Sequence, residues 1–411
     1  MRAKLDANVL SNPANEVPEM SNGPIMRLDS IDSLRAMAML MVFTYHAWAI
    51  AGTPRLAYSI GPIRLQLGDV IGKLSNGVDL FMVLSGFCLF WPVARSSERM
   101  ASWNASQYLQ RRLRRIVPPY YLAIVYVSLQ PHVLVAVFHL LGKAANLQPG
   151  FTAWQYFTHV LFIHTLFNST WDGIQGSFWS LGLEMQFYLA FPFLIWAYRK
   201  YGKRTLFGMV CIAFVYRYFA AIATSGLRDF RPYLVTIFFL GRWVQFAAGM
   251  GAALVVARIQ HSKKLLSGST GGLLIGGSVV MYAIATSRIM RIELLSRVPL
   301  GDLILSVAFG ALIVGLCAST NRIKLLFEAR LLGWIGYISY SVFLIHQNTL
   351  YYLGEFFRRV HPVPEPERFI ILETFGFCVI LGIAYAFFLM CEAPFVNDPR
   401  RSGRSLTKAP P

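Results

Sequence analysis

Charged residues are scarce in this sequence of 411 residues. Asp, Glu, Lys and Arg together make up 14% of it, whereas soluble domains carry about 25%. Apolar residues make up 55%, and the mean hydropathy is +0.50. Much of the chain therefore cannot face water, and the composition excludes an ordinary soluble globular protein.

Several familiar chemical motifs are also absent. The sequence has no Walker loop, no GxGxxG after a strand and no GxSxG elbow, which argues against the nucleotide-binding and hydrolase folds that use them. The five cysteines lie apart in apolar runs without a CxxC pair, so we expect buried, small apolar side chains. His159 and His164 are five residues apart and should not share a helix face; like His132 and His139, they have no nearby carboxylate or thiol, so no metal site is expected.

Long apolar runs are abundant. Runs of about 18 or more such residues are typical of membrane-spanning helices, and these do not alternate as the strands of a lipid-facing barrel would. The stretch 154–168 is too short to span comfortably and is predicted to be interfacial or re-entrant, with an eleventh span as the alternative. We predict an all-α polytopic membrane bundle of about ten transmembrane helices, near residues 31–52, 76–95, 116–140, 179–198, 205–224, 234–257, 268–287, 301–318, 331–353 and 368–390.

The net charge of +18 follows membrane topology and needs no polyanionic partner such as nucleic acid. With the N-terminus inside, the predicted cytoplasmic segments hold 23 Lys and Arg and the outer segments hold 12, which is the bias expected of cytoplasmic loops. Both termini are therefore predicted to be cytoplasmic. Residues 1–30 are predicted to be a polar tail, 31–395 a membrane domain and 396–411 a basic tail; the first apolar run begins too late for a secretory signal.

The first span carries two ionisable side chains, Arg35 and His46. Such side chains inside a membrane are functional candidates, because each costs at least about 2–3 kcal/mol. The two are eleven residues apart, which is three helical turns plus about 20° and a rise of about 16 Å. They therefore share one face, with Arg35 near the cytoplasmic surface and His46 beyond the middle of the membrane. A snorkelling arginine and a packing histidine are the alternative.

Two carboxylates in later spans are expected at the depth of His46. Asp79 in GVDLFMVLSGF (77–87) and Glu184 in FWSLGLEMQFYL (178–189) each lie a few residues from the outer end of a predicted span. A carboxylate on one imidazole nitrogen fixes the tautomer and leaves the other nitrogen as a base. Either carboxylate is therefore predicted to orient His46, with structural ion pairs as the alternative.

A basic segment precedes the third span. In NASQYLQRRLRRIVPPYY (104–121), Asn104 is a predicted N-cap, four arginines surround an apolar face, and Pro118 and Pro119 are predicted to end a short helix. The planar fork of arginine suits phosphate, and four arginines exceed what anchoring at the interface requires. We predict a phosphate clamp, with an interfacial anchor as the alternative.

Taken together, these segments resemble the acyltransferase 3 family of integral membrane acyltransferases. The resemblance implies a ten-helix core, which agrees with the hydropathy count, and makes 31–395 a membrane acyltransferase domain. It also implies an enzyme that uses acyl-CoA, with acetyl-CoA expected, to O-acylate sugars of surface polysaccharides, antibiotics or lipids. The matching features run in the family's order and are the Arg35-to-His46 spacing, GVDLFMVLSGF (77–87), RRLRRIVPPY (111–120), FWSLGLEMQFYL (178–189), GYISYSVFLIH (336–346) and EAPF (392–395).

The resemblance implies roles for the matching residues. His46 is expected to be the catalytic base with Asp79 or Glu184 beside it, and a glycan the expected hydroxylated acceptor. No metal and no tightly bound cofactor are expected. An acyl-enzyme on a serine is the alternative to direct transfer, without triad spacing to support it. The expected donor-binding residues are Arg35, Arg112 and Arg115, and the expected supporting residues are Ser85, Ser180 and His346.

Two other functions are open. A polytopic transporter of a small polar or anionic substrate would also carry intramembrane charges, although no inverted repeat is evident. An acyltransferase acting on a cytosolic antibiotic or lipid would keep the enzyme class and change the acceptor. The bacterial inner membrane is the expected location. Some relatives append a soluble esterase-like domain, and none is expected here.

Overall fold

The computed structural model describes residues 29–60, 63–142, 150–223, 237–287, 290 and 299–395. Of the two predicted tails, only Asp29 and Ser30 fall within these residues. The described chain is a bundle of α-helices with one short antiparallel hairpin, in which Ala57 pairs with Gln66. The predicted all-α polytopic membrane class is confirmed.

The elements follow one another along the chain without a larger sheet in the described residues. The hairpin consists of β1 (Ala57–Ile60) and β2 (Ile63–Gln66). The helices are α1 (Asp29–Ala51), α2 (Leu67–Lys73), α3 (Gly77–Ala94), α4 (Ser97–Ala101), α5 (Ala105–Leu140), α6 (Ala153–Val160), α7 (Trp179–Tyr201), α8 (Arg204–Ala223), α9 (Trp243–His261), α10 (Gly268–Ala285), α11 (Leu300–Cys317), α12 (Arg330–Tyr337), α13 (Ser339–Arg359), α14 (Glu365–Ile371) and α15 (Phe377–Phe387).

Nine helical runs in the described part of the chain are long and apolar enough to cross a membrane. Each coincides with one of the ten predicted spans. The runs are Ser30–Ala51, Leu67–Ala94, Ala105–Leu140, Gly176–Tyr201, Arg204–Ala223, Phe239–His261, Gly268–Ala285, Leu300–Cys317 and Glu365–Glu392.

The remaining predicted span, near 331–353, is divided into α12 and α13 at Ile338. Helix α13 has 21 residues and is therefore about 31 Å long, but it carries polar and charged side chains from His346 to Arg359. Many of its residues are buried against other helices. A helix that faces protein tolerates polar residues that lipid would not, because neighbouring helices supply partners for them.

The segment predicted to be interfacial or re-entrant is a short helix followed by turns. Helix α6 has eight residues and rises about 12 Å, which is too short to cross a membrane core about 30 Å thick. After α6 the chain turns into a single 3-10 turn, His164–Leu166.

The second span begins earlier than its hydropathy indicated. Helix α2, the 3-10 turn Leu74–Asn76 and α3 form one run of 28 residues, Leu67–Ala94, where the prediction began near residue 76. Gly77 packs against the middle of α1, where an added Cβ would lie 2.6 Å from the carbonyl oxygen of Ala38. Residues after Gly77 are therefore deeper in the bundle than predicted.

The predicted break at Pro118 and Pro119 is wrong. Helix α5 continues through both prolines, and through Pro131, from Ala105 to Leu140. Prolines are tolerated inside membrane helices where neighbouring groups compensate the backbone bonds they remove. The consequence is that the four arginines of 111–115 lie on the same rigid helix that crosses the bundle.

Small residues let the central helices approach closely. Gly249 of α9 lies against α3, where an added Cβ would meet the carbonyl of Val83 and would lie 2.7 Å from the amide nitrogen of Phe87. Gly86 of α3 lies in turn against the backbone of Phe246. Small interfacial residues are typical of membrane helices, whose association relies on close packing because lipid provides no hydrophobic driving force.

We expect Gly249→Ala to destabilise the protein, because neither Val83 nor Phe87 offers a flexible atom that could move away from the new methyl group. The thermal unfolding midpoint in detergent should fall by several degrees. Gly251→Ala is the matched control, since nothing lies within 4 Å of the added Cβ, and alanine favours a helix over glycine by about 1 kcal/mol. Equal midpoints for the two variants would contradict the close α3–α9 contact.

Candidate active site

The predicted site residues lie on five helices that form a ring. Helix α1 contacts α3 and α13; α13 contacts α5; α5 contacts α7; and α7 contacts α3. Several charged and polar side chains on these helices are only half-buried. Each of them nevertheless contacts a neighbouring helix or a polar group of its own helix. They include Arg35, His46, Ser85, Arg112 and Glu184. Within the ring, polar side chains of neighbouring helices contact one another, as Ser85 and Glu184 do.

His46 of α1 contacts His346 of α13. Nδ1 of His46 lies 2.9 Å from Nε2 of His346, and Nδ1 of His346 lies 2.9 Å from the carbonyl oxygen of Phe343. The sequence ranked His346 only as a supporting residue and assigned the orienting role to Asp79 or Glu184. In the structure, the described partner of His46 is another histidine.

This geometry sets the tautomers of the pair when both rings are neutral. A carbonyl oxygen only accepts hydrogen bonds, so Nδ1 of His346 carries the proton and donates it to Phe343. Nε2 of His346 is then an acceptor, and Nδ1 of His46 must donate to it. The proton of His46 thus resides on Nδ1, and Nε2 of His46 carries a free lone pair. Nε2 of His46 is thus able to accept a proton, and the hydrogen bond to His346 orients the ring.

Aromatic rings surround the histidine pair. The rings of Phe43 and Phe343 lie 6.5 Å and 5.5 Å from that of His346, and the ring of Tyr45 lies 5.3 Å from that of His46. His346 is 1% exposed, whereas His46 is half-buried. His346 is therefore held in place, and His46 keeps an accessible side.

Asp79 binds other partners. Its Oδ1 accepts hydrogen bonds from Nη1 of Arg242 at 2.6 Å and from Nε2 of Gln245 at 2.9 Å. The early start of the second span explains the difference from the prediction, because Asp79 is twelve residues after Leu67 and hence about 18 Å along that run. A second pair, Arg217 with Asp302, links α8 to α11. In the structure Asp79 ties α3 to the start of α9.

Glu184 also has no described contact with His46. Its Oε1 accepts hydrogen bonds from the hydroxyl of Ser85, at 3.1 Å, and from the hydroxyl of Tyr188. The backbone N–H of Ser177 donates to Oε1 of Gln347, beside His346, at 2.5 Å. Glu184 is seven residues beyond Ser177, about 10 Å further along the run Gly176–Tyr201, so it lies deeper in the bundle than the histidine pair.

Neither predicted serine is bonded to a histidine. Ser85 donates to Glu184, and Ser180 donates to the carbonyl oxygen of Ser177 at 3.0 Å. These contacts give no histidine base to a serine nucleophile.

The four arginines of α5 divide into two pairs that differ in exposure. Arg112 and Arg115 are half-buried, whereas Arg111 and Arg114 are exposed. The guanidinium of Arg112 lies 5.8 Å from the centre of the Tyr188 ring and 6.0 Å from that of Tyr108, a distance at which cation–π attraction acts. The half-buried pair is the one singled out by the family resemblance.

Arg35 lies at the same end of the ring as these arginines. It donates to Oδ1 of Asp32 at 2.9 Å and to Sγ of Cys88 at 3.2 Å, and its side chain is 29% exposed. Glu392 of the EAPF segment accepts from Ser341 at 2.6 Å and lies within electrostatic range of Arg115 and Arg35. An anion entering here would meet three guanidinium groups.

Two features were missed or misjudged from the sequence. Glu373, a carboxylate inside the apolar run 368–390, accepts from the Thr44 hydroxyl at 2.7 Å; its position inside an apolar run was the signal that could have found it. Thr44 is two residues from His46, on nearly the opposite side of α1.

His159 and His164 stack at 4.1 Å, because the chain turns after α6. In the described part of the chain, no group of three or more His, Cys, Asp or Glu could hold a metal ion.

The chain is similar to known acyltransferases. A family model described as an acyltransferase domain matches residues 28–389. The peptidoglycan O-acetyltransferase OatA of Listeria monocytogenes is 25% identical over 335 residues, which is 77% of this chain and 48% of the relative. The acyltransferase MdmB of Streptomyces mycarofaciens is 27% identical over 218 residues, 49% of this chain and 50% of the relative.

A relative with a different kind of name is also similar. The regulator of hypoxia-inducible factor 1 of Caenorhabditis elegans is 26% identical over 202 residues, 46% of this chain and 38% of the relative. The chain thus spans about half the length, or less, of these curated relatives. No solved structure is similar enough to count as a match.

We expect Asp79→Leu to lower the free energy of unfolding by about 3–5 kcal/mol, because Arg242 and Gln245 lose the carboxylate that they share in a buried site. The double variant Asp79→Leu with Arg242→Met should regain at least half of this loss, measured by thermal unfolding in detergent. A double variant with the summed loss would show that the pair is not coupled. A double variant that is stable but inactive would indicate that Asp79 takes part in the reaction.

Proposed function

The chain belongs to the acyltransferase 3 family, whose model covers residues 28–389, and we propose that it is a membrane O-acyltransferase. The reaction moves an acyl group, with acetyl the expected one, from acyl-CoA to a hydroxyl group. The observation that carries this proposal is the histidine pair, which leaves a basic nitrogen on His46 inside a ring of helices whose other end holds three half-buried arginines.

In this proposal, acyl-CoA lies along the interior of the ring. Its phosphates bind Arg112, Arg115 and Arg35, and its long, nearly neutral arm extends towards His46. Arg35 and His46 are eleven residues apart on α1, a rise of about 16 Å. The distance suits a ligand that is anionic at one end and carries its thioester at the end of a long arm.

Transfer then needs one base. Nε2 of His46 takes the proton of the acceptor hydroxyl as its oxygen attacks the thioester carbon. The carbon–sulfur bond breaks, CoA leaves as a thiolate, and the imidazolium of His46 returns the proton to sulfur. His346 accepts the hydrogen bond from Nδ1 of His46 throughout, which holds the tautomer and stabilises the charged ring. Direct transfer is supported because Ser85 and Ser180 have no histidine partner.

The proposed acceptor is a carbohydrate hydroxyl, and the proposed location is the bacterial inner membrane. The carbohydrate is supported by OatA, which is named a peptidoglycan O-acetyltransferase and shares 25% identity over 335 residues with this chain. The excess of Lys and Arg in alternate loops supports cytoplasmic termini. The arginines would then face the cytoplasmic donor, while the histidine pair lies nearer the outer side.

We expect His46→Gln to abolish transfer, because glutamine forms a hydrogen bond but does not take the proton, and general-base catalysis contributes about 10²–10⁴-fold. His346→Leu should lower kcat by about 10²-fold or more, since His46 loses the acceptor that fixes its tautomer. His346→Gln keeps an acceptor oxygen and should retain more activity than His346→Leu. Transfer is measured with radiolabelled acetyl-CoA in membranes.

Donor binding serves as the control for these variants. The affinity for a thioether analogue of acetyl-CoA should remain within about twofold of wild type, because the arginines are unchanged. If His46→Gln keeps more than about a hundredth of the wild-type rate, a general-base role for His46 is wrong.

We expect Arg112→Gln with Arg115→Gln to weaken binding of the same analogue by at least about 100-fold, because two charge-assisted phosphate contacts are lost. The matched control is Arg111→Gln with Arg114→Gln, the two exposed arginines of the same helix turns. This control removes the same charge and should cost less than about threefold at physiological salt, where exposed charges are screened. Equal losses in both variants would mean that the arginines act only as a diffuse positive surface.

A further inference from the structure

Three uncharged polar side chains lie one turn beyond the histidine pair, and the reaction proposed above does not use them. Nε2 of Gln130 donates to Oγ1 of Thr349 at 3.0 Å, and the hydroxyl of Tyr126 lies 3.1 Å from the same oxygen. Thr349 donates its own proton to the carbonyl oxygen of Ile345 at 2.8 Å. Thr349 therefore accepts from both neighbours.

The cluster of Tyr126, Gln130 and Thr349 faces the same interior as the catalytic groups. Tyr126 is eleven residues after Arg115 on α5, so the two share a face three turns apart, as Arg35 and His46 do on α1. Thr349 is three residues after His346, one turn further along α13. The cluster and the arginines thus lie on opposite sides of the histidine pair.

One polar atom of the cluster lacks a hydrogen-bond partner among the described residues. Oε1 of Gln130 is buried and accepts no hydrogen bond from the described residues, although Nε2 of the same amide is bonded. A buried acceptor without a donor is destabilising, because it has given up its hydrogen bonds to water. Because Gln130 as a residue is only half-buried, a turn of its amide would bring this oxygen to a ligand hydroxyl and supply the missing hydrogen bond.

We propose that Gln130, Tyr126 and Thr349 are the recognition site for the acceptor of the transferred acyl group. The inference rests on the proposed function. The chemistry of the cluster specifies a neutral acceptor with at least two hydroxyls: one reacts at Nε2 of His46 while another donates to Oε1 of Gln130. No charged side chain is part of the cluster, so a polyhydroxylated carbohydrate fits it better than an anionic or cationic acceptor.

The test separates acceptor binding from donor binding and from chemistry. Gln130→Met keeps the shape of the side chain and removes both polar groups, and Thr349→Val removes only the hydroxyl. Transfer of radiolabelled acetyl is measured while a glycan fraction solubilised from the cell wall of the expressing bacterium is titrated. For each variant we expect the apparent KM for glycan to rise by about 3- to 10-fold, the effect of one neutral hydrogen bond.

Two further readouts exclude a merely structural role. The rate at saturating glycan should stay within about threefold of wild type, and the affinity for the thioether analogue of acetyl-CoA within about twofold. Gln110→Met is the matched control: Gln110 is an exposed glutamine of the same helix, and this variant should leave all three quantities unchanged.

The other possible results distinguish failure of the recognition site from failure of the proposed function. An unchanged KM in both variants, or a loss of saturating rate or donor affinity in place of the KM effect, would overturn the recognition site. His46→Gln should show the opposite pattern, with no rate at any glycan concentration. If wild type acetylates no component of the glycan fraction, the carbohydrate acceptor of the proposed function is wrong, and the recognition site is wrong with it.

Discussion

Charges buried among membrane helices are stable only beside a partner, and this constraint arranges the interior of the protein. Asp79 is bound to Arg242 and Gln245, Asp302 to Arg217, and Arg35 to Asp32. An ionised group without a partner would cost several kcal/mol in a medium of low polarity. Because Asp79 forms its ion pair with Arg242, it is not the partner of His46. His46 is paired with a second histidine, and a pair of neutral rings avoids the cost of a buried charge in the resting protein.

The hydrogen bonds of this histidine pair determine which nitrogen of His46 carries the proton and which is free. A hydrogen bond to a backbone carbonyl determines the tautomer of His346, and His346 in turn determines the tautomer of His46. The effect is the same as that of a carboxylate behind a catalytic histidine, but the second histidine carries no charge. In the proposed reaction, positive charge develops on His46 only while the acceptor proton is in transit. The ion pairs elsewhere in the bundle join other helices, with Asp79 and Arg242 between α3 and the start of α9 and Arg217 and Asp302 between α8 and α11.

The sequence indicated which side chains share a helix face more reliably than which helices touch. The spacing of Arg35 and His46 predicts one shared face, because helical periodicity requires no knowledge of neighbouring helices. The choice of Arg112 and Arg115 came from the family resemblance; both are half-buried, whereas Arg111 and Arg114 are exposed. The predicted partners of His46 differ from the observed one, since partner choice depends on which helices touch and at what depth. The prediction erred in depth because α2 extends the second span by nine residues, from residue 76 back to Leu67.

The sequence alone determined that the chain is a bundle of membrane helices, where most of those helices lie, and which ionisable side chains the membrane must accommodate. These properties follow from local composition and periodicity, which a single helix expresses without reference to another. The tertiary structure decided which histidine orients His46, which arginine neutralises Asp79, that α5 continues through its prolines, and that His159 stacks on His164. Each of these depends on contacts between segments far apart in the chain or on a turn between them, and such contacts leave no periodic signal in the sequence.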